Sequence, residues 1–445
     1  MDANDETFDV VNVDTGEQYK VKVAKGKKKF DYMYVIIALS FLMVFTVLGF
    51  CSSSKSVYLD AITNSLGIDR ALFSINDTVR YVSTAIVNIF FGFLIMKIGV
   101  RILLACGFVS LMISMTCYAL ADSIWLFYVG GFFLGVGLSW TTTTMVGYIV
   151  GKWCKKNRGT VMGFILASNG LGGAFAIAIL SSIIGDGIGI SAFGYRTAYW
   201  IIVVILAVVG TLCVLLYREK QKGQELSTDT GSKKRRGRTW VGVDFKSATK
   251  MPYFYGACVC IFFTGFVLQG ITGIANAHIS GIIGKGFSNV MSIIHLIVLT
   301  CSKFLAGFFY DKKGLRFAVN LCSIAAIVAL LSLAFVSNST FGIVLAIAYS
   351  AISSIALPLE TIMLPIYAAD LFGEKSYSKM MGIFVSVNVC GYALSAPATN
   401  LCYTLTGSYS IALIASCVIM ALVVIGVQFV INAGNKQRNL IESKI

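Results

Sequence analysis

The stretch Gly92-Phe-Leu-Ile-Met-Lys-Ile-Gly-Val-Arg101 returns as Gly307-Phe-Phe-Tyr-Asp-Lys-Lys-Gly-Leu-Arg316, with Gly, Phe, Lys, Gly and Arg in the same register 215 residues later. The chain of 445 residues is therefore built from two like halves. Each copy sits between two long apolar runs, and the whole chain is 57% hydrophobic with only 13% charged residues, far from soluble averages. The repeated unit is thus a membrane bundle. Duplicated bundles are how many secondary transporters build a site near the bilayer midplane, so the repeat implies transport before any substrate is considered.

Apolar segments near the ~20 residues needed to cross a bilayer fall at 33–54, 74–96, 102–121, 125–150, 160–184 and 197–217, and again at 252–276, 288–310, 317–336, 340–369, 380–401 and 410–431. They are numbered here as spans 1 to 12. The expected architecture is an all-α membrane protein of twelve transmembrane helices in two pseudo-symmetric six-helix bundles, 33–217 and 252–431. A tail (1–32), a basic linker (218–251) and a second tail (432–445) complete it. With both termini in the cytoplasm, the interior loops and tails hold all but six of the 36 Lys and Arg residues, as the positive-inside rule requires. The six are Lys55, Arg70, Arg80, Arg196, Lys285 and Lys303. The expected location is the cell membrane.

A net charge of +15 and the run Lys233-Lys-Arg-Arg-Gly-Arg238 resemble a nucleic-acid motif. A basic loop between spans 6 and 7 is what positive-inside topology produces, so no nucleic acid is expected, and anionic lipid headgroups are its natural contact. The twelve cysteines are scattered without a Cys-x-x-Cys, which indicates neither a disulfide framework nor a metal site. No cofactor motif, nucleophile elbow or His-Glu-x-x-His is present; no catalytic residue, metal or cofactor is expected, and a monomer is. In the amino-terminal tail, 9–13 and 18–23 flank Asp14-Thr-Gly-Glu17 and could pair as a small hairpin.

The pattern Gly-x-x-x-Asp-[Arg/Lys]-x-Gly-x-Arg after a second membrane helix resembles the signature loop of the major facilitator superfamily. Gly307 to Arg316 fits it, whereas Met96 stands where the acid belongs in the first copy. The resemblance implies a conformational latch made of Gly92, Lys97, Arg101, Gly307, Asp311, Lys312 and Arg316, weaker or differently made in the first half. A second pair of loops, Trp153 to Gly163 and Phe372 to Gly382, repeats at an offset of 219. Leu66-Gly-Ile-Asp-Arg-Ala71, Ala167-Ser-Asn-Gly-Leu-Gly-Gly173, Ala368-Ala-Asp-Leu-Phe-Gly373 and Leu405-Thr-Gly-Ser-Tyr409 resemble more narrowly the oxalate/formate antiporter and monocarboxylate transporter branch.

Ionisable groups within spans are costly and mark function by default. Lys303 lies eight residues before Asp311, roughly 12 Å inside span 8, as a substrate or coupling residue or as a snorkelling side chain. That branch usually has a substrate-pairing arginine here, four residues before Gly307. Lysine keeps the charge but loses the bidentate fork. The branch's second cation falls near Asn388, so the resemblance favours a singly charged anion. Glu360, ten residues before Asp370 and between Pro358 and Pro365, lies roughly 15 Å deep, where it either couples protons or pairs with Lys303. In the coupling scheme an incoming carboxylate takes over Lys303 and the freed Glu360 binds a proton. Proton and anion then cross together; anion exchange is the other route, and a drug or neutral-solute carrier the other function.

The repeat offset pairs Arg80 with His295 and Asn169 with Asn388. Asn169 and Asn388 line the cavity or join helices. Arg80 contacts substrate or pairs with Asp77. His295 carries protons or packs. Lys55, counted roughly 33 Å from Met33, reaches the outer interface beside Ser52-Ser-Ser54, either in the cavity wall or at the membrane surface.

Overall fold

The computed structural model describes residues 5–11, 18–24, 32–154, 157–184, 194–218 and 242–442. The run Lys233 to Arg238 lies outside them. Residues 1–36 form one unit and 37–445 another. In the first, β1 (Asp5–Val11) and β2 (Gln18–Ala24) pair antiparallel, with Asp5 opposite Ala24 and Val11 opposite Gln18. The first strand thus opens ahead of Asp9, because the ladder runs as far as its partner strand does.

The helices of the first repeat are α1 (Met33–Leu48), α2 (Lys55–Leu66), α3 (Arg70–Ala119), α4 (Ile124–Thr141), α5 (Thr143–Trp153), α6 (Arg158–Ile184) and α7 (Gly194–Leu216). Those of the second are α8 (Phe245–Ala248), α9 (Pro252–Ile282), α10 (Lys285–Lys313), α11 (Leu315–Ala334), α12 (Thr340–Ala356), α13 (Pro358–Thr361), α14 (Met363–Phe372), α15 (Tyr377–Thr406) and α16 (Ser410–Glu442). Eleven helical runs among the described residues are long and apolar enough to cross a membrane. The longest counts twice, because Gly99 (φ 81°) turns α3 back on itself, a conformation that side chains with a Cβ resist. Spans 2 and 3 are its two arms, and the twelve expected crossings are present. Gly314 (φ 86°) makes the equivalent turn between α10 and α11. The face of the molecule carrying these turns is called the basic face below.

Two boundaries differ most from the sequence reading. Span 1 does not end at residue 54: a π-helical turn (Gly49–Ser53) leads into α2, which continues to Leu66. The polar composition of α2 hides it from an apolar count, yet Tyr58 and Ile62 are buried and Tyr58 stacks on Tyr199 of α7. At the other end, α16 runs on through the expected tail to Glu442.

The exposed apolar side chains explain how a helix can be greasy on its outside. On α3, Ile75, Val82, Ile86, Ile89 and Phe93 are all exposed, and helical spacing puts them on one stripe. In water such a stripe would be a liability; in lipid it is the solvated face. Asp77, Tyr81, Thr84 and Asn88 fall on the opposite stripe, toward the protein.

Two seams join the repeats. Along the first, α6 packs on α10: a Cβ on Gly307 would stand 1.9 Å from the Gly159 carbonyl, one on Gly163 2.5 Å from the Lys303 carbonyl, and one on Gly170 2.2 Å from Thr300. Along the second, α3 packs on α15: a Cβ on Gly92 would stand 2.6 Å from Lys379 Cα and one on Gly382 2.4 Å from the Asn88 carbonyl. Ser386 donates to the Ala85 carbonyl there (2.7 Å). Small residues let backbones approach this closely in membranes. Both seams start at the basic face and run inward, so the repeats are closed against each other on that face.

Candidate functional site

Span 10 is broken in three. Pro358 has no N–H to give, α12 stops at Ala356, and Glu360 rides on the short α13 with its own N–H bonded to the Leu357 carbonyl (3.1 Å). Broken helices of this kind are tolerated where protein or a cavity surrounds them. Glu360 is 4% exposed. Its Oε2 accepts the hydroxyl of Tyr392 on α15 (2.9 Å) and the side-chain amide of Gln269 on α9 (3.4 Å), while Oε1 is buried without a partner.

Lys303 is 3% exposed on α10, too buried to be snorkelling, and its carbonyl borders α6 across the first seam. Lys303 and Glu360 are both buried within the second repeat. The expected ion pair is nevertheless not formed among the described residues: the carboxylate is held by Tyr392 and Gln269 instead. The structure thus leaves a buried cation and a buried acid at the junction of the repeats, each with unused bonding capacity. Burying charge in this way is expensive unless a partner arrives.

The first repeat supplies a second charged group. The π-turn and the residue following it fan the run Ser52 to Lys55 outward. Ser53 donates to Asn169 of α6 (3.0 Å) and Ser52 accepts from Arg80 of α3 (3.1 Å). Lys55 pairs with Asp77, and the same Asp77 oxygen lies 3.5 Å from Arg80. Arg80 is 7% exposed, its Nε is buried without a partner, and its guanidinium lies 4.5 Å from the centre of the Tyr81 ring. Tyr81 in turn meets Tyr392 edge-on across the second seam, 5.7 Å between ring centres. Lys55, Arg80 and Asn169 are therefore brought to one wall. Lys55 opens α2, which extends span 1 to Leu66, so the residue does not mark the end of the span as counted.

The symmetry partners behave differently. Asn388 is buried and donates its amide to the Ile261 carbonyl of α9 (3.1 Å), so it joins helices instead of lining a cavity. His295 Nδ1 meets Ser353 (3.1 Å) and Ser354 (2.9 Å) of α12, so its ring is tied to the neighbouring helix of its own repeat.

The loop residues also divide. Asp311 accepts from the backbone N–H groups of Gly159 (3.1 Å) and Thr160 (2.6 Å) and from the Thr160 hydroxyl (2.6 Å). It closes the N-terminus of α6 in the other repeat, where orphan N–H groups and the helix dipole favour an anion. Arg158 adds an ion pair to Glu374 (2.8 Å). Arg101 and Arg316 do not bridge the repeats. Each ties down the last helix of its own half, Arg101 on the Tyr217 carbonyl (2.6 Å) and Arg316 on Asn432, again 215 residues apart. Lys97 and Lys312 lie over their own helix's Phe93 and Phe308 rings. Among the described residues, the members of the expected latch that span the seam are Gly92, Gly307 and Asp311.

Sequence reasoning missed Tyr392, Tyr81, Thr160 and the Arg158–Glu374 pair. A tyrosine in an apolar span carries no sign of which acid it will meet. A concavity of about 680 Å³ lies elsewhere, between α9 and α16, and is lined by apolar residues such as Val259, Phe263, Leu422 and Phe429. It opens between exposed apolar faces and holds none of the charged groups above.

The sequence profile described as Major Facilitator Superfamily matches residues 33–364. The MFS-type transporter YcxA of Bacillus subtilis (strain 168) is 23% identical over 392 residues, covering 86% of this chain and 91% of that one. Among solved structures, the fucose:proton symporter FucP of E. coli is similar at a TM-score of 0.66 and 17% identity, covering 90% of this chain and 99% of its own. FucP also matches in a crystal structure in the outward conformation, with a TM-score of 0.66. The proton:xylose symporter XylE, bound to 6-bromo-6-deoxy-D-glucose, is similar at a TM-score of 0.73 and 13% identity, covering 90% and 97%. At such identities the structures speak for the fold, while the profile, matched over most of the chain, places this multi-pass membrane protein in the major facilitator superfamily of transporters.

Proposed function

We propose that this carrier moves a small organic anion, a monocarboxylate in the first instance, across the cell membrane by alternating access, with both termini in the cytoplasm. The observation that carries the reading is Lys303: an ammonium 3% exposed, at the seam between repeats, without an ion pair among the described residues. A carboxylate arriving there would satisfy it, and the closed basic face would leave the opposite side as the entrance. Glu360, with Oε1 free, is the proton carrier of this scheme. Two buried groups of opposite charge that do not consume each other suit co-transport of an anion and a proton; exchange of one anion for another uses Lys303 alone. The resemblance to the monocarboxylate branch supports the same substrate class.

The test is uptake of labelled lactate, pyruvate, formate and oxalate into proteoliposomes, with and without an inward proton gradient, for wild type, Lys303→Ala and Glu360→Gln. Uptake driven by the gradient and abolished by Lys303→Ala is expected. Glu360→Gln should keep exchange of internal for external anion while losing the response to the gradient. Full transport by Lys303→Ala would sink the assignment and point to a neutral-solute or drug carrier.

A further inference from the structure

The offset of 215 sets Arg80 opposite His295, yet only one of the two is at rest. His295 Nδ1 has two serines of α12. Arg80, buried where His295 is only half-buried, shares one Asp77 oxygen with Lys55, takes Ser52, and keeps Nε buried and unpartnered. Two cations thus face one carboxylate, and that carboxylate is 37% exposed, which makes it the least anchored of the three. The group lies on the protein-facing side of α3, away from the stripe of Ile75, Val82 and Ile86. It is twelve residues from Gly92, roughly 18 Å inward from the closed basic face, and therefore on the entrance side.

We infer that Lys55, Ser52 and Arg80 form an outer station for a small carboxylate anion, with Asp77 standing in for that anion while the station is empty. This rests on the anion reading above and adds a second binding step to it. The guanidinium offers a planar fork that suits a carboxylate better than an ammonium does, so the anion binds first where its geometry is read. It then passes the Tyr81–Tyr392 pair. Tyr81 lies under Arg80 and Tyr392 holds Glu360, so these two rings separate the outer station from Lys303 and Glu360. Displaced Asp77, already 37% exposed, turns to solvent and leaves both cations to the anion. Lipid headgroups are excluded as occupants by the direction in which α3 points the cluster.

The experiment is binding of lactate and of oxalate to the full chain in nanodiscs by isothermal titration, in the Lys303→Ala background so that the inner site is silent. Binding is expected to persist there. It should weaken at least about tenfold in Arg80→Gln, as for truncation of one member of a buried charge pair, and recover in part in Arg80→Lys. In Asp77→Asn it should tighten several-fold, because the competing carboxylate is gone; a merely structural cluster would lose binding in both. No binding in Lys303→Ala, no response to Arg80→Gln, or no tightening in Asp77→Asn would each overturn the station, as would loss of lactate binding on adding phosphatidylglycerol to the disc. Wild-type uptake separates the two claims. Uptake that needs Lys303 with binding indifferent to Arg80 leaves the transport reading and removes the station. Arg80-dependent binding without any uptake does the reverse.

Discussion

Asp311 of the second repeat caps Thr160 of the first, taking its backbone N–H and its hydroxyl with one carboxylate oxygen, both at 2.6 Å. The bond crosses the seam between the repeats and exists only while the basic face is closed. Charge-assisted caps of this kind contribute about 1–2 kcal/mol, so Asp311→Asn should shift the closed population by roughly 5- to 30-fold. Cys154, buried and with its carbonyl held by Arg158, reports on it. Maleimide labelling of Cys154, with the other cysteines replaced by serine or alanine, should accelerate in the variant; an unchanged rate would remove the latch.

Met96 occupies the place of Asp311 in the first repeat, and the N-terminus of α15, which packs on Gly92 one turn earlier, carries Lys379 and no acid in its first turn. A base in the first turn opposes the helix dipole. Met96→Asp should therefore stabilise the closed face by roughly 0.3–1 kcal/mol, raising the melting temperature by a degree or more while slowing turnover. A lower melting temperature would contradict it.

Gly307 tolerates no Cβ, with the Gly159 carbonyl 1.9 Å from where it would stand. Gly307→Ala is expected to block closure on the basic face and to cut uptake at least about tenfold, since overpacking a tight contact costs about 1–3 kcal/mol. Gly281→Ala, with nothing within 4 Å of the added methyl, is the control and should transport normally. Equal uptake by the two variants would refute the role of the seam.

Tyr392 and Gln269 share one oxygen of Glu360 at 2.9 and 3.4 Å. Hydrogen bonds to charged groups contribute about 1.5–3 kcal/mol, and the shorter one carries more of it. Proton-driven uptake should fall about tenfold or more in Tyr392→Phe, and less in Gln269→Leu. The ratio of gradient-driven uptake to anion exchange checks this, and the opposite ranking would show that the longer bond holds the acid.

Much of this was legible before any coordinates. Apolar runs of bilayer length can satisfy their backbone groups only as helices, so the spans followed from composition. The repeat offset held for Arg101 and Arg316, whose parallel reach to Tyr217 and Asn432 is that offset in space, but not for the contacts of Arg80 and His295 or of Asn169 and Asn388. Span 10 breaks at Pro358, because a missing N–H is a local fact of the sequence. The depth of Lys303 and Glu360 was likewise a matter of counting along a helix. Partners were another matter: whether Glu360 would pair with Lys303 or with Tyr392 depends on how α9, α10, α13 and α15 are rotated about their axes. That rotation is set by packing of side chains hundreds of residues apart. The same holds for Asn388, spent on a carbonyl, and for Arg80, left with an unmet donor. The sequence alone determined that this is a duplicated membrane bundle with a few interior charges. The tertiary structure decided which charges meet, because helix spacing orders residues along a face while only the closed seams bring two faces together.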